Sequence, residues 1–110
     1  MKKKVNDLIN KISTAESLNR INELILNMYP GMEARFFPIY VRYLKNGELF
    51  GLLYFNKKDH FVLGIASQKK FLDNSRDANW MKYKEIKYCI NIAIDSDFTE
   101  TIRQIKKILG

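Results

Sequence analysis

The sequence predicts an α+β fold: a two-layer sandwich in which an antiparallel sheet of about four strands carries N-terminal and C-terminal helices on one face. Three observations carry this expectation. Apolar residues recur at helical spacing as far as "MYPG" at residues 28 to 31, then at a spacing of two from about residue 35. Helical spacing returns near residue 97. Turn signals, Pro30-Gly31, Asn46-Gly47 and "NKKD" at 56 to 59, punctuate the middle. Helices at both ends of a meander share one sheet face, which gives the sandwich. At 110 residues the chain reads as a single domain, 1–110, large enough to fold without metal or disulfide.

Each element has its own signal. Val5, Leu8, Ile9 and Ile12 predict a short amphipathic helix. Ser13 with Glu16 reads as a capping box opening a second helix, whose stripe is Leu18, Ile21, Leu24, Ile25 and Met28. Pro30-Gly31 stops it. "RFFPIYVRYL", residues 35 to 44, reads as one strand, placed at an edge or bulged because Pro38 lacks a ladder donor. Asn46-Gly47 supplies a tight hairpin turn. Residues 48 to 55 form the next strand, Leu49, Gly51, Leu53 and Phe55 alternating with Phe50, Leu52 and Tyr54. Apolar residues on both sides make it central.

Residues 60 to 66 follow as a third strand with Phe61, Leu63 and Ile65 on one side. The polar region 67 to 84 reads as a short helix over 68 to 72, then a loop containing Trp80. Strand four, 86 to 94, alternates Ile86, Tyr88, Ile90, Ile92 and Ile94 with polar or small residues. Asp97 and Glu100 cap a closing helix that buries Phe98, Ile102, Ile105 and Leu109.

Composition narrows the function classes. The single cysteine, Cys89, cannot form an internal disulfide and lies in an apolar run, as expected in a reducing cytoplasm. "MKKKVNDLINKIS" opens like a signal peptide, but Asn6, Asp7, Asn10 and Lys11 interrupt the apolar core it would need. No run approaches the roughly 18 apolar residues of a membrane span. The expectation is a soluble cytoplasmic protein, monomer or homodimer. The net charge of +7 attracts phosphate or an acidic partner, although solubility alone accounts for the same excess.

The candidate chemistry is sparse. His60, the only histidine, stands beside Asp59 at the start of strand three and points to the open face or rim. Asp59 and His60 are the weak metal candidates, against the simpler reading of a solvated hairpin histidine. The five glycines are scattered and form no phosphate cradle, and one cysteine excludes paired Cys-x-x-Cys ligands. Ser67 to Lys70 spells Ser-x-x-Lys without its companion motifs. A thiol at 89 in an isoleucine-rich strand is inert. The expectation is a non-enzymatic domain.

Aromatic residues make up 13% of the chain, too many to fit beneath two helices. Some of Phe36, Phe37, Tyr40, Tyr43, Phe50, Tyr54, Trp80, Tyr83 and Tyr88 must lie on the other sheet face or under the 67 to 84 segment. Interleaved with Arg35, Arg42, Lys82, Lys84 and Lys87, they suit nucleic acid, bases stacking on rings and cations meeting phosphate. The ligand or partner surface read this way is Arg42, Tyr54, Trp80, Lys82 and Lys84. A face sealed by its own loop or by a second subunit fits the same composition.

Four stretches, in order, resemble the small bacterial YdhG-like family of unknown function, whose fold is frataxin-like. They are "VNDLINKI", "LNRINELILNMYPGMEARF", "FFPIYVRYLKNGELFGLLYFNKKDHFVLGIA" and "YKEIKYCINIAIDSDFTETIRQIKKIL". The resemblance implies intracellular iron handling and delivery to an iron–sulfur assembly protein, with iron as the one cofactor to consider. Frataxins hold iron on carboxylates of the first helix and the neighbouring strand edge. Here Asp7, Glu16 and Glu23 lie among Lys2, Lys3, Lys4, Lys11 and Arg20, so no iron ligand transfers from the family. Only Asp59 and His60 stay as metal candidates.

Overall fold

The structure, a computed structural model, describes residues 2–67 and 75–110, with side chains from residue 14 onward. Its elements are α1 (Lys2–Leu26), β1 (Met32–Phe36), β2 (Tyr40–Lys45), β3 (Glu48–Tyr54), β4 (His60–Ile65), β5 (Arg76–Asp77), a 3₁₀ turn (Asn79–Met81), β6 (Tyr88–Ala93) and α2 (Phe98–Leu109). The α+β class, the antiparallel sheet and a helix at each end agree with the sequence reading. The strand number does not: six strands lie in the order β1-β2-β3-β4-β6-β5, not about four.

Pro38 accounts for one extra strand. It fixes its own φ and offers no N–H, so the apolar run 35 to 44 bends there instead of passing through. Phe37 N–H donates to the Tyr40 carbonyl at 2.8 Å across the bend. The two flanks then pair with each other, from Met32↔Lys45 to Phe36↔Val41. The edge position expected of a proline-bearing strand belongs to β1, and β2 is interior. The other extra strand is the two-residue β5, which pairs Arg76 with Cys89 and Asp77 with Tyr88 at the far edge. The sequence reads that stretch as loop.

The hairpin after β2 forms as expected, Asn46 and Gly47 at φ 52° and 84° joining Lys45 to Glu48. A bulge beside it corrects the predicted alternation of β3. Leu44 pairs with Leu49, but Tyr43 pairs with Gly51, leaving Phe50 as the extra residue. Leu49 therefore packs with the open-face cluster while Leu53 lies in the helix-side core.

The two predicted N-terminal helices are one. Ser13 lies inside α1 rather than capping a second helix. An interior serine costs only about half a kcal/mol relative to alanine, too little to break a helix alone. At the C-terminal end of α1, Ile21 and Ile25 are fully buried, and Met28 just beyond it is nearly so. In α2, Asp97 Oδ1 accepts from Glu100 N–H at 3.3 Å. Only half of the predicted box forms, because the Glu100 carboxylate turns to Arg103 and Gln104 instead.

The helices cover one face of the sheet. Ile21, Ile25, Ile102 and Ile105 meet Val41, Tyr43, Leu53, Phe61, Leu63, Ile65, Ile90 and Ile92 there. Phe61, Leu63 and Ile65 thus point as predicted. On the other face Leu52, Val62 and Cys89 are covered by Ala78, Met81 and Ile86. The alternation predicts Ile86 in strand four with Ile90 and Ile92, but β6 begins at Tyr88 and Ile86 packs on the opposite side of the sheet. The short helix expected over 68 to 72 lies outside the described residues. Among the described residues, no helix is long and apolar enough to cross a membrane.

Candidate functional site

The face away from the helices is built by the second side-chain set of β2, β3 and β4. Cross-strand partners leave a sheet on the same side, so Tyr40 stands beside Tyr54, and Arg42 beside Leu52. The bulge makes the tyrosine pair: an unbroken register from Lys45↔Glu48 places Leu53, not Tyr54, opposite Tyr40.

From these positions an aromatic row crosses the face. Phe37 stacks on Tyr40 with centroids 4.8 Å apart and planes 11° apart. Tyr40 stacks on Tyr54 at 5.1 Å. Trp80 meets Tyr54 edge-on at 5.0 Å. Guanidinium groups stand at both ends, Arg42 at 5.2 Å from the Phe37 centroid and Arg76 at 5.9 Å from that of Trp80. Within the row the rings occupy one another's faces. The area offered to a ligand is the edge of the row and Trp80, which is 46% exposed.

Electrostatics follow from this packing. Burial pushes the Tyr54 phenol up, with smaller contributions from Tyr40 and Tyr83. The Tyr40 phenol is likewise raised, chiefly by burial and then by its hydrogen bond with Tyr83. Both rings are therefore neutral at physiological pH and repel no anion. Burial also raises the Cys89 thiol, against the lowering influence of Arg76 and a hydrogen bond from Trp80. The inert thiol expected from the sequence agrees with this environment.

Of the predicted surface residues, Arg42, Tyr54 and Trp80 come together on this face. Lys82 and Lys84 are exposed on the covering segment, Lys82 in the left-handed region at φ 61° where it closes the 3₁₀ turn. Absent from that set were Phe37, Tyr40, Tyr83 and Arg76, although all but Arg76 stood among the aromatics. Tyr43, Phe50 and Tyr88 went to the helix side. The split of aromatics between two faces was expected; the bulge decides that Phe50 and Tyr54 take opposite sides.

The metal candidates also meet. His60 Nδ1 and Asp59 Oδ1 are 2.7 Å apart, and the hydrogen bond from His60 pulls the Asp59 carboxyl below its ordinary value. His60 shares the open-face side of β4 with Val62, opposite Ala93 of β6. Among the described residues no group of three or more His, Cys, Asp or Glu side chains could hold a metal ion. No family model matches the chain, and no curated protein or solved structure is significantly similar to it.

Proposed function

We propose that the protein is a non-catalytic binding module of the cytoplasm whose open sheet face takes single-stranded nucleic acid. The observation that carries this reading is the half-exposed Trp80, backed by a stacked tyrosine pair and flanked by Arg76. A base finds an aromatic surface there, and Arg42, Arg76, Lys82 and Lys84 supply cations for phosphate. The sequence of elements, helix, antiparallel strands and closing helix, is compatible with the frataxin-like, YdhG-like resemblance.

Trp80 is the only tryptophan, so its fluorescence reports this face directly. A single-stranded oligonucleotide is expected to quench it saturably, with affinity falling as salt rises. Trp80→Ala, followed by filter binding, is expected to weaken affinity about tenfold or more. Lys84→Glu is expected to weaken binding and flatten the salt slope. Quenching that ignores ionic strength, or none at all, rejects the proposal. Equal binding of polyglutamate assigns the face to acidic proteins instead.

A second reading rests on the Asp59–His60 contact and on the iron handling that the family resemblance implies. Imidazole and carboxylate together suit iron, and an iron–sulfur assembly protein would supply or receive the remaining ligands. Anaerobic calorimetry with ferrous ion is expected to show saturable heat that His60→Ala reduces. No heat at millimolar iron ends this reading.

A further inference from the structure

The β1–β2 ladder sets two arginines against each other. Arg35 and Arg42 are direct cross-strand partners, so both side chains leave the open face of the sheet side by side. Like charges in that position destabilise a sheet unless something neutralises them. Among the described residues neither guanidinium has a carboxylate within ion-pair distance; the close contacts between a carboxylate and a basic side chain are His60–Asp59 and Arg103–Glu100. Glu33 leaves the same face of β1 two residues from Arg35, yet it forms no ion pair with either arginine and stands opposite Leu44.

Arg42 is also internally incomplete. Its Nε is buried and has no hydrogen-bond partner, the only buried side-chain nitrogen or oxygen in that state among the described residues. An unpaired buried donor is costly, and the guanidinium that carries it is suited to bidentate oxyanions; a ligand meets this Nε only if the side chain shifts to uncover it. The Phe37 ring lies beside it, its centroid 5.2 Å from the guanidinium carbon. A paired arginine set with one unmet donor, next to an aromatic row, has the composition of a phosphate grip.

We propose that Arg35 and Arg42 form an oxyanion site that binds a phosphate group at the β1 edge of the aromatic face. The ligand accepts hydrogen bonds from both guanidinium groups and removes their mutual repulsion. This deepens the nucleic-acid reading by placing a backbone phosphate about one ring-row away from a base on Trp80, but the site itself requires only the phosphate.

The test uses the intact chain, with inorganic pyrophosphate and a single-stranded oligonucleotide as separate probes. In anion-free buffer Arg35→Gln is expected to raise Tm by roughly 2–5 °C, because it relieves the like-charge pair. With pyrophosphate the wild type is expected to gain stability, and Arg35→Gln to lose at least half of that gain. Lys107→Gln, an equal charge change on exposed α2, is expected to keep it. The Arg42 Nε–H resonance is expected to shift saturably with pyrophosphate. Equal loss of the gain in both variants, or an unmoved Arg42 resonance, overturns the site in favour of general charge screening. Pyrophosphate binding without oligonucleotide binding keeps the site and rejects the nucleic-acid reading. Oligonucleotide binding unchanged by Arg35→Gln, with pyrophosphate inert, does the reverse.

Discussion

A Cβ added at Gly51 would sit 2.4 Å from the Gly64 carbonyl oxygen, inside the β3–β4 ladder. That oxygen is backbone and cannot yield without parting the two central strands. Gly64 is crowded differently, by Met81 Sδ at 2.6 Å, which a flexible side chain can withdraw, and by Ile86 Cγ2 at 2.8 Å, a branch methyl; both belong to the covering segment and not to the backbone of a central strand. Gly47 meets nothing within 4 Å, but its φ of +84° disfavours any residue with a Cβ. The expected order of destabilisation is therefore Gly51→Ala, then Gly64→Ala, then Gly47→Ala. Overpacking against backbone puts the first at about 3 kcal/mol, and the left-handed φ puts the last at about 1 kcal/mol. Urea unfolding of the three variants measures the ranking, and Gly51→Ala no worse than Gly47→Ala would contradict the close approach. Nothing in a run such as "LFGLLYF" distinguishes this glycine from a turn residue, because the contact is made by a strand that follows later in the chain.

At the scale of elements, α2 depends on Asp97, whose carboxylate takes the otherwise unpaired Glu100 N–H. Asp97→Ala is expected to cost about 1 kcal/mol in urea unfolding at neutral pH. Glu100 adds a pH dependence. Hydrogen bonds from Arg103 and then Gln104 hold its carboxyl below the ordinary value of 4.5. A depressed acid stabilises the fold above its unfolded pKa and loses that contribution as pH falls through its folded pKa. The stability difference between wild type and Glu100→Gln is thus expected to be full at neutral pH and to shrink below about pH 4.5, as the unfolded-state value dictates. This cap was legible because its signal is local: an aspartate, three residues, a glutamate, then an apolar stripe. The Asn46-Gly47 hairpin was legible for the same reason. The bulge at Phe50, the continuity of α1 through Ser13 and the far-edge pairing of β5 were not, since each is decided by partners distant in sequence. The candidate face inherited that limit: Arg42, Tyr54 and Trp80 could be named from composition, but their neighbour Tyr40 needed the shifted register and Phe37 the bend at Pro38.

The whole molecule has two unequal interiors divided by one sheet. Fourteen buried residues form the helix-side core and six the cluster under the covering segment, among the described residues. Burial is the main source of cohesion, so the segment carrying Ala78, Met81 and Ile86 is expected to open well before the helices leave the sheet. Cys89 reports that opening. It is fully buried beneath the segment, and its thiol is raised by burial, so reaction with a maleimide requires exposure first. Labelling at neutral pH is expected to proceed by an opening with a shallow urea dependence, joining the steep global limb only near the unfolding midpoint. Gly64→Ala, which pushes against Met81 and Ile86, is expected to speed labelling about tenfold through a difference of roughly 1.4 kcal/mol in local opening. Its effect on the global midpoint should be smaller than that of Gly51→Ala. Labelling that tracks global unfolding at every urea concentration would show instead that the two interiors melt as one. The same measurement reaches the proposed function. Trp80 belongs to the segment that must lift, so a strand stacked on Trp80 and gripped at Arg42 ties the segment to β2. Ligand bound only to the closed form suppresses opening in proportion to its occupancy. Saturating oligonucleotide is therefore expected to slow Cys89 labelling, and a ligand that leaves the rate unchanged is bound elsewhere on the molecule.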